Sequence, residues 1–138
     1  MTKIYLLDTN AVSDLMRITG GFSKWAQKVG PDAQAIICSI VLGEILFGIS
    51  ALPEGKRKAA LAAEAASLLD QVEHRAVPIK ACPQYARIKL EGQLAGRRMG
   101  ENDLWIAATA IAFGATLVSR DEAFFGVKGL EVVPFEME

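Results

Sequence analysis

Four carboxylates, Asp8, Glu44, Asp103 and Asp121, occupy positions from which a folded chain can gather side chains into one pocket. Asp8 ends the apolar run Ile4-Tyr5-Leu6-Leu7, and Asp121 follows Thr116-Leu117-Val118 by three residues. Asp103 falls in the first turn of an expected helix and Glu44 in the first half of another. Taken singly, the aspartates have an ordinary use: Asp8 and Asp103 favour helix starts by capping and by the helix dipole, and Asp121 can shape a Ser-Arg-Asp-Glu turn. Glu44 has no such explanation. Its neighbours from Ile40 to Ile49 are nearly all apolar, and no lysine or arginine lies three or four residues away. A carboxylate removed from water needs a partner, a proton or a metal ion. Oxygen donors unaccompanied by cysteine or histidine match the preferences of Mg²⁺ or Mn²⁺, ions that neutralise charge during phosphoryl displacement. The lone His74, at the end of a long helix, reads as a C-terminal dipole partner or a solvated residue.

Alternating strands and helices would have to position these acids. Ile4–Leu7 reads as a strand, and the polar Asp8-Thr9-Asn10 caps a helix starting near Ala11. Gly20-Gly21 and Gly30-Pro31-Asp32 bracket a short amphipathic helix over Phe22–Val29. Ala35–Cys38 is a buried strand. Ser39 is suited to cap a helix over residues 40–52, and Lys56 to about Glu73 forms an alanine-rich helix with Leu61, Ala65, Leu68, Leu69 and Val72 on one side. A weak strand over Ala76–Ile79 follows. Pro83 suits the first turn of a helix reaching about Arg97, and Asn102 or Asp103 opens another that ends at Gly114. Thr116–Val118 and Glu131–Val133 are the last strands. Apolar strands alternating with helices indicate an α/β fold with a mostly parallel sheet between helices, whose sites form beyond the carboxyl ends of the strands.

With 138 residues the chain fits one domain over residues 1–138. Half of its residues are apolar and its formal net charge is -1, a profile that excludes a disordered tail and gives no bulk affinity for nucleic acid. Contact with RNA would need a local basic patch, for which Arg97, Arg98 and Arg120 are the candidates. The Lys56-Arg57-Lys58 run reads as a solvated helix start. Trp25 and Trp105 read as packing residues in preference to base-stacking ones. Cys38 and Cys82 lack the spacing of a zinc site and read as reduced packing residues. No signal peptide and no spanning segment is expected, which makes the cytoplasm the default compartment and a membrane partner unexpected.

Four short motifs in this order, Leu6-Leu7-Asp8-Thr9-Asn10, Ser39 with Glu44, Asp103-Leu104-Trp105-Ile106-Ala107-Ala108-Thr109 and Leu117-Val118-Ser119-Arg120-Asp121, resemble the PIN-domain family, in particular the VapC-type toxins of toxin-antitoxin pairs. The resemblance spans Ile4 to Pro134. It implies a PIN-like three-layer α/β/α sandwich with a central sheet of about five strands. It also implies endonucleolytic hydrolysis of RNA with one or two Mg²⁺ (or Mn²⁺) ions held by Asp8, Glu44 and Asp103, with Asp121 completing the pocket. Thr9 and Asn10 would support Asp8. Ser119 stands where the family more often has Thr, and Asp121 where many relatives carry Asn. A homodimer and a cognate antitoxin are the implied partners, the antitoxin docking on the apolar faces of residues 11–18 and 40–52. Two other readings are weighed beside this one. A PIN scaffold that binds RNA or protein without cutting is disfavoured by the intact acidic set. A haloacid-dehalogenase-like phosphotransfer enzyme would need a second acid two positions after Asp8, where Asn10 stands.

Overall fold

The computed structural model describes residues 2–136. Its elements are β1 (Lys3–Leu7), α1 (Thr9–Met16), α2 (Gly21–Val29), β2 (Ala33–Cys38), α3 (Ser39–Ser50), α4 (Lys56–Gln71), β3 (Glu73–Arg75), α5 (Ala81–Leu94), α6 (Glu101–Ala112), β4 (Thr116–Val118), a 3-10 turn over Glu122–Gly126, and β5 (Val132–Val133). The strands form one five-stranded sheet in the order β3-β2-β1-β4-β5. Every pairing is parallel. The architecture is the three-layer α/β/α sandwich, with α1 to α4 packed on one another and α5 packed on α6.

A parallel sheet covered on both faces must be apolar on both, and the central strands satisfy this. Leu6, Leu7, Ile36, Ile37, Leu117 and Val118 are fully buried. Each such side chain stabilises the fold by about 1.5–3 kcal/mol. Helix α6 joins this core around much of its girth, burying Leu104, Ile106, Ala107, Ala108, Thr109 and Ala110. Its alanines let the helix axis lie close to its neighbours, and the Thr109 hydroxyl is satisfied by the Trp105 carbonyl at 2.7 Å. Gly114 then adopts a positive φ of 63° and the Ala115 N–H reaches the Ala110 carbonyl, turning the chain directly into β4.

Several boundaries differ from the sequence reading. The third strand is Glu73–Arg75 in place of Ala76–Ile79, paired with Ile36–Cys38 of β2. It is a polar edge strand, invisible to a search for apolar runs, and Pro78 in the expected segment has no N–H to donate. Helix α4 accordingly ends at Gln71, and His74 lies in β3, its Nε2 sharing a hydrogen bond with the Leu69 carbonyl at the end of α4. Helix α5 stops at Leu94, where Gly96 takes a positive φ, and α6 starts at Glu101 with Gly100 before it. Ser39 is the first residue of α3 and not its cap; its hydroxyl accepts from the Val77 N–H instead. Cys38 packs in the core as expected, whereas Cys82 is exposed. Both tryptophans pack: Trp25 is buried edge-on to Tyr5, and Trp105 stacks on Tyr85 with ring centroids 4.0 Å apart. The apolar side of α1, expected to be a docking face, is core: Ala11, Val12, Leu15 and Met16 are buried.

Candidate active site

The sheet changes direction at β1, with β2 and β3 to one side and β4 and β5 to the other. Connections that leave adjacent parallel strands in opposite directions open a crevice at the strands' carboxyl ends. Leu7 of β1 is in register with Val118 of β4, so the next residues, Asp8 and Ser119, stand on the two lips of that crevice. Both are buried.

As the cap of α1, Asp8 accepts through Oδ1 from the Ala11 N–H at 2.8 Å. The Ser119 hydroxyl beside it favours the ionised carboxylate. Burial nonetheless pushes its carboxyl above the usual 3.8, against the opposing pull of the Ser119 and Ala11 bonds, and the Asp121 and Asp14 charges add to the rise. The Ser119 Oγ in turn accepts from the Asp121 N–H at 3.0 Å. One hydroxyl therefore holds the backbone of the fourth acid and lies beside the first.

Asp121 caps the 3-10 turn, accepting from the Ala123 N–H at 3.0 Å, so the turn-shaping role read from its sequence is real. Phe124, fully buried, anchors that turn to the core. Asp103 sits in the first turn of α6 and is half-buried. Its carboxyl is pushed up to about 6, first by burial and then by the charges of Asp121, Glu44 and Asp8. The charges of the other three acids identified in the sequence thus all act on Asp103. Glu44, in the second turn of α3, is half-buried as expected, and its Oε1 accepts from the Thr9 hydroxyl at 2.5 Å. Thr9 thus holds the second acid and not the first, beside which Ser119 lies. Asn10 is exposed, and among the described residues its side chain makes no hydrogen bond to Asp8.

No ion pair among the described residues involves Asp8, Glu44, Asp103 or Asp121. Nor do any three acidic, histidine or cysteine side chains among them come together as a ready-made metal-binding group. Such a set of uncompensated oxygen donors fits a hard cation that keeps part of its water shell, for which direct contact with every carboxylate is unnecessary. It does not suit zinc, which would want nitrogen or sulfur ligands drawn close.

The arginines divide by role. Arg97 donates to the Gly126 carbonyl at 2.8 Å and so braces the 3-10 turn. Arg120, although next to Asp121 in sequence, turns to Asp14 on α1, with its Nε 3.2 Å from Oδ2 and a second contact at 3.4 Å. Arg98 is exposed. Asp14 escaped the sequence reading: it bridges Arg17 and Arg120 and adds its charge to the field at Asp8. Only its place less than two turns beyond the cap, on the helix that Asp8 starts, hinted at this.

Residues 5–130 match the PIN domain family. Over 139 aligned residues the chain is 31% identical to the VapC ribonuclease Y4jK of Sinorhizobium fredii, covering 95% of this chain and 97% of that protein. It is 30% identical to ribonuclease VapC2 of Rickettsia felis, covering 86% and 87% of the two chains. Among solved structures, a chain of VapBC2 from Rickettsia felis bound to a DNA fragment from their promoter superposes with a TM-score of 0.84 at 26% identity, covering 96% of this chain and 99% of that one. A family match that begins inside β1, ends beyond the last carboxylate and encloses the whole acidic crevice leaves one conclusion: the chain belongs to the PIN-domain family.

Proposed function

We propose that this protein, as one domain over residues 1–138, is a metal-dependent endoribonuclease that cuts RNA phosphodiester bonds and serves as the toxin of a toxin-antitoxin pair. The observation that carries the reading is the buried Asp8 at the crevice between β1 and β4 together with Asp103, on which the charges of Asp121, Glu44 and Asp8 all act, with no ion pair to any of the four among the described residues. The proposed metal ligands are Asp8, Asp103, Glu44 and Asp121, and the metal Mg²⁺ or Mn²⁺. When bound, the ion would supply electrostatic stabilisation to the phosphoryl group as charge builds on its oxygens. The protein's own residues do the positioning. The Ala11 N–H fixes Asp8, the Ala123 N–H and the Ser119 hydroxyl fix Asp121, and Thr9 fixes Glu44. Burial of Asp8 under the sheet edge lowers the local dielectric and strengthens every interaction with a cation. Purified protein is expected to cut RNA in Mg²⁺ or Mn²⁺ and to stop in EDTA. Binding of RNA without cutting in either metal would favour the non-cleaving scaffold, and cutting that ignores EDTA would remove the metal from the account.

A sharper expectation concerns Thr9. Thr9→Val keeps the shape of the side chain but deletes the bond to Glu44, whereas Thr9→Ser keeps the hydroxyl. Metal affinity, read by calorimetry, is expected to fall about tenfold in the first variant and little in the second. Equal affinities in both would assign Thr9 to packing alone.

The partners proposed with this function are an antitoxin and a second copy of the chain, in the cytoplasm. Among the described residues no helix is long and apolar enough to cross a membrane. Helix α3 leaves Leu46 and Phe47 exposed, so of the two expected docking faces the second remains available. Beside it, Met16, Ile45, Ile49 and Leu61 line a groove of about 290 Å³ that ends at Glu44 and carries Arg17 and Arg57. An antitoxin segment seated there would reach the active site directly.

A further inference from the structure

A second hollow lies apart from the acids. A groove of about 760 Å³ lies between the second half of α5, the first turn of α6 and the 3-10 turn, within the range of about 300–1,000 Å³ that holds small ligands. Two of its lining residues lie within two positions of an acid along the chain. Leu104, on one wall, follows Asp103 in α6, and Ala123, on another, carries the N–H that Asp121 caps. Ile88, Met99 and Leu104 make the groove apolar in depth. Its charged lining is Lys89, Arg97 and Arg98 against the single carboxylate of Glu101. Lys89 is bound to Glu101 and Tyr85, and Arg97 to the Gly126 carbonyl. Among the described residues Arg98 makes no hydrogen bond or ion pair, so its guanidinium is the uncommitted cation of the groove.

We infer that this groove is the subsite for the RNA nucleotide adjoining the scissile phosphate, with Arg98 pairing the phosphate of that nucleotide and the Met99–Leu104 wall lying against its base. The inference rests on the ribonuclease reading above and names where the substrate strand leaves the acids. A planar guanidinium matches phosphate oxygens in pairs. An apolar wall that offers no ordered set of hydrogen-bonding groups accepts a base by its flat face. The excess of positive charge favours a polyanion over a peptide here, and it opposes the repulsion that four carboxylates exert on an incoming phosphate.

Gly92 supplies a test that leaves the arginine untouched. It lies in α5 and lines the groove, and a Cβ there would approach nothing closer than the Arg97 carbonyl oxygen at 3.8 Å. Gly92→Leu therefore adds its Cβ without a clash, places apolar bulk in the groove wall and favours the helix. Binding is measured by fluorescence anisotropy with a labelled single-stranded RNA of about ten nucleotides, using protein that carries Asp8→Asn so that the RNA survives. Arg98→Gln is expected to weaken binding about tenfold and to lower the slope of log Kd against log salt by about 0.7. Arg98→Lys should recover part of the loss. Gly92→Leu should weaken binding at least as much with an unchanged or higher Tm, and with the Asp8 carboxylate restored neither groove variant should alter the shift in Tm that Mg²⁺ produces. Unchanged Kd and salt slope in Arg98→Gln and Gly92→Leu would overturn the inference. So would variants that bind RNA normally but no longer hold a coexpressed antitoxin, since the groove would then be a protein surface. Because binding is read without cleavage, the two readings fail separately. A wild-type chain that binds RNA through this groove yet cuts nothing sinks the ribonuclease reading alone, and one that cuts RNA while both groove variants behave as wild type sinks the groove alone.

Discussion

Asp8→Asn is expected to reduce RNA cleavage by at least about a hundredfold and to leave the thermal stability unchanged or raised. The two halves of that result separate the two roles of Asp8. Asparagine caps a helix as well as aspartate does, so the bond from the Ala11 N–H persists and α1 still starts at Thr9. What disappears is a charge that burial disfavours and that Asp121 and Asp14 repel. If Asp8 were only a cap, the variant would cut RNA as well as the parent. Asp8→Ala is the contrasting case: it loses both the charge and the cap, so its cleavage should fall equally while its stability drops by about 1 kcal/mol. Parallel melting curves and cleavage rates for the three proteins decide the matter.

The second large effect is a dependence of stability on pH that divalent metal should erase. The Asp103 carboxyl is held at about 6 in the folded protein against an ordinary 3.8. An acid whose affinity for its proton is raised by folding costs nothing while both states are protonated. Its cost appears as pH rises above the unfolded value and is complete once the folded group has ionised. The metal-free protein should therefore lose stability between about pH 4 and pH 6.5 through this group, and Asp8 acts in the same direction. Exposed pairs run the other way: Glu73, Glu101 and Glu131 are held low by Arg75, by Tyr85 and Lys89, and by Lys3, and they gain stability over the lower part of that window. The comparison that isolates Asp103 is Asp103→Asn, which should remove its share of the fall while leaving that of Asp8 and the opposing rise. In Mg²⁺ the wild-type chain should not show the fall either, because a bound cation favours the ionised form. Urea midpoints at several pH values, in EDTA and in Mg²⁺, measure all of these. Identical pH profiles for the wild type and Asp103→Asn in EDTA would mean that the acids do not feel one another as the geometry states.

Much of this site could be read before the fold was known, and the reasons are local. Asp8, Glu44, Asp103 and Asp121 each sit beside a strong strand or helix signal, so their places relative to a parallel sheet followed from the alternation of elements. What the sequence did not show was the wiring between distant elements. The hydroxyl of Thr9 was expected to serve the neighbouring Asp8 but reaches Glu44, 35 residues away. Ser119 reads in the sequence as a substitute for threonine, yet its hydroxyl holds the Asp121 backbone beside Asp8. Arg120 was placed near the substrate by adjacency alone, and the turn of the chain after β4 hands it to Asp14 instead. The third strand eluded the reading because an edge strand of Glu, His and Arg is held by backbone pairing with β2 and not by an apolar pattern. The 3-10 turn that presents Asp121 was missed for a related reason: a single turn fixed by one buried phenylalanine and one cap leaves no periodicity to find.

The central claim is that these four carboxylates are one metal site. It is tested most directly by soaking crystals of the protein in Mn²⁺ and mapping the anomalous signal. The expected result is a peak in the crevice between β1 and β4, with Asp8 and Asp103 as direct ligands and Glu44 and Asp121 contacting the ion directly or through water. A crevice without Mn²⁺ at saturating metal, or a peak bound elsewhere on the chain, would contradict the account.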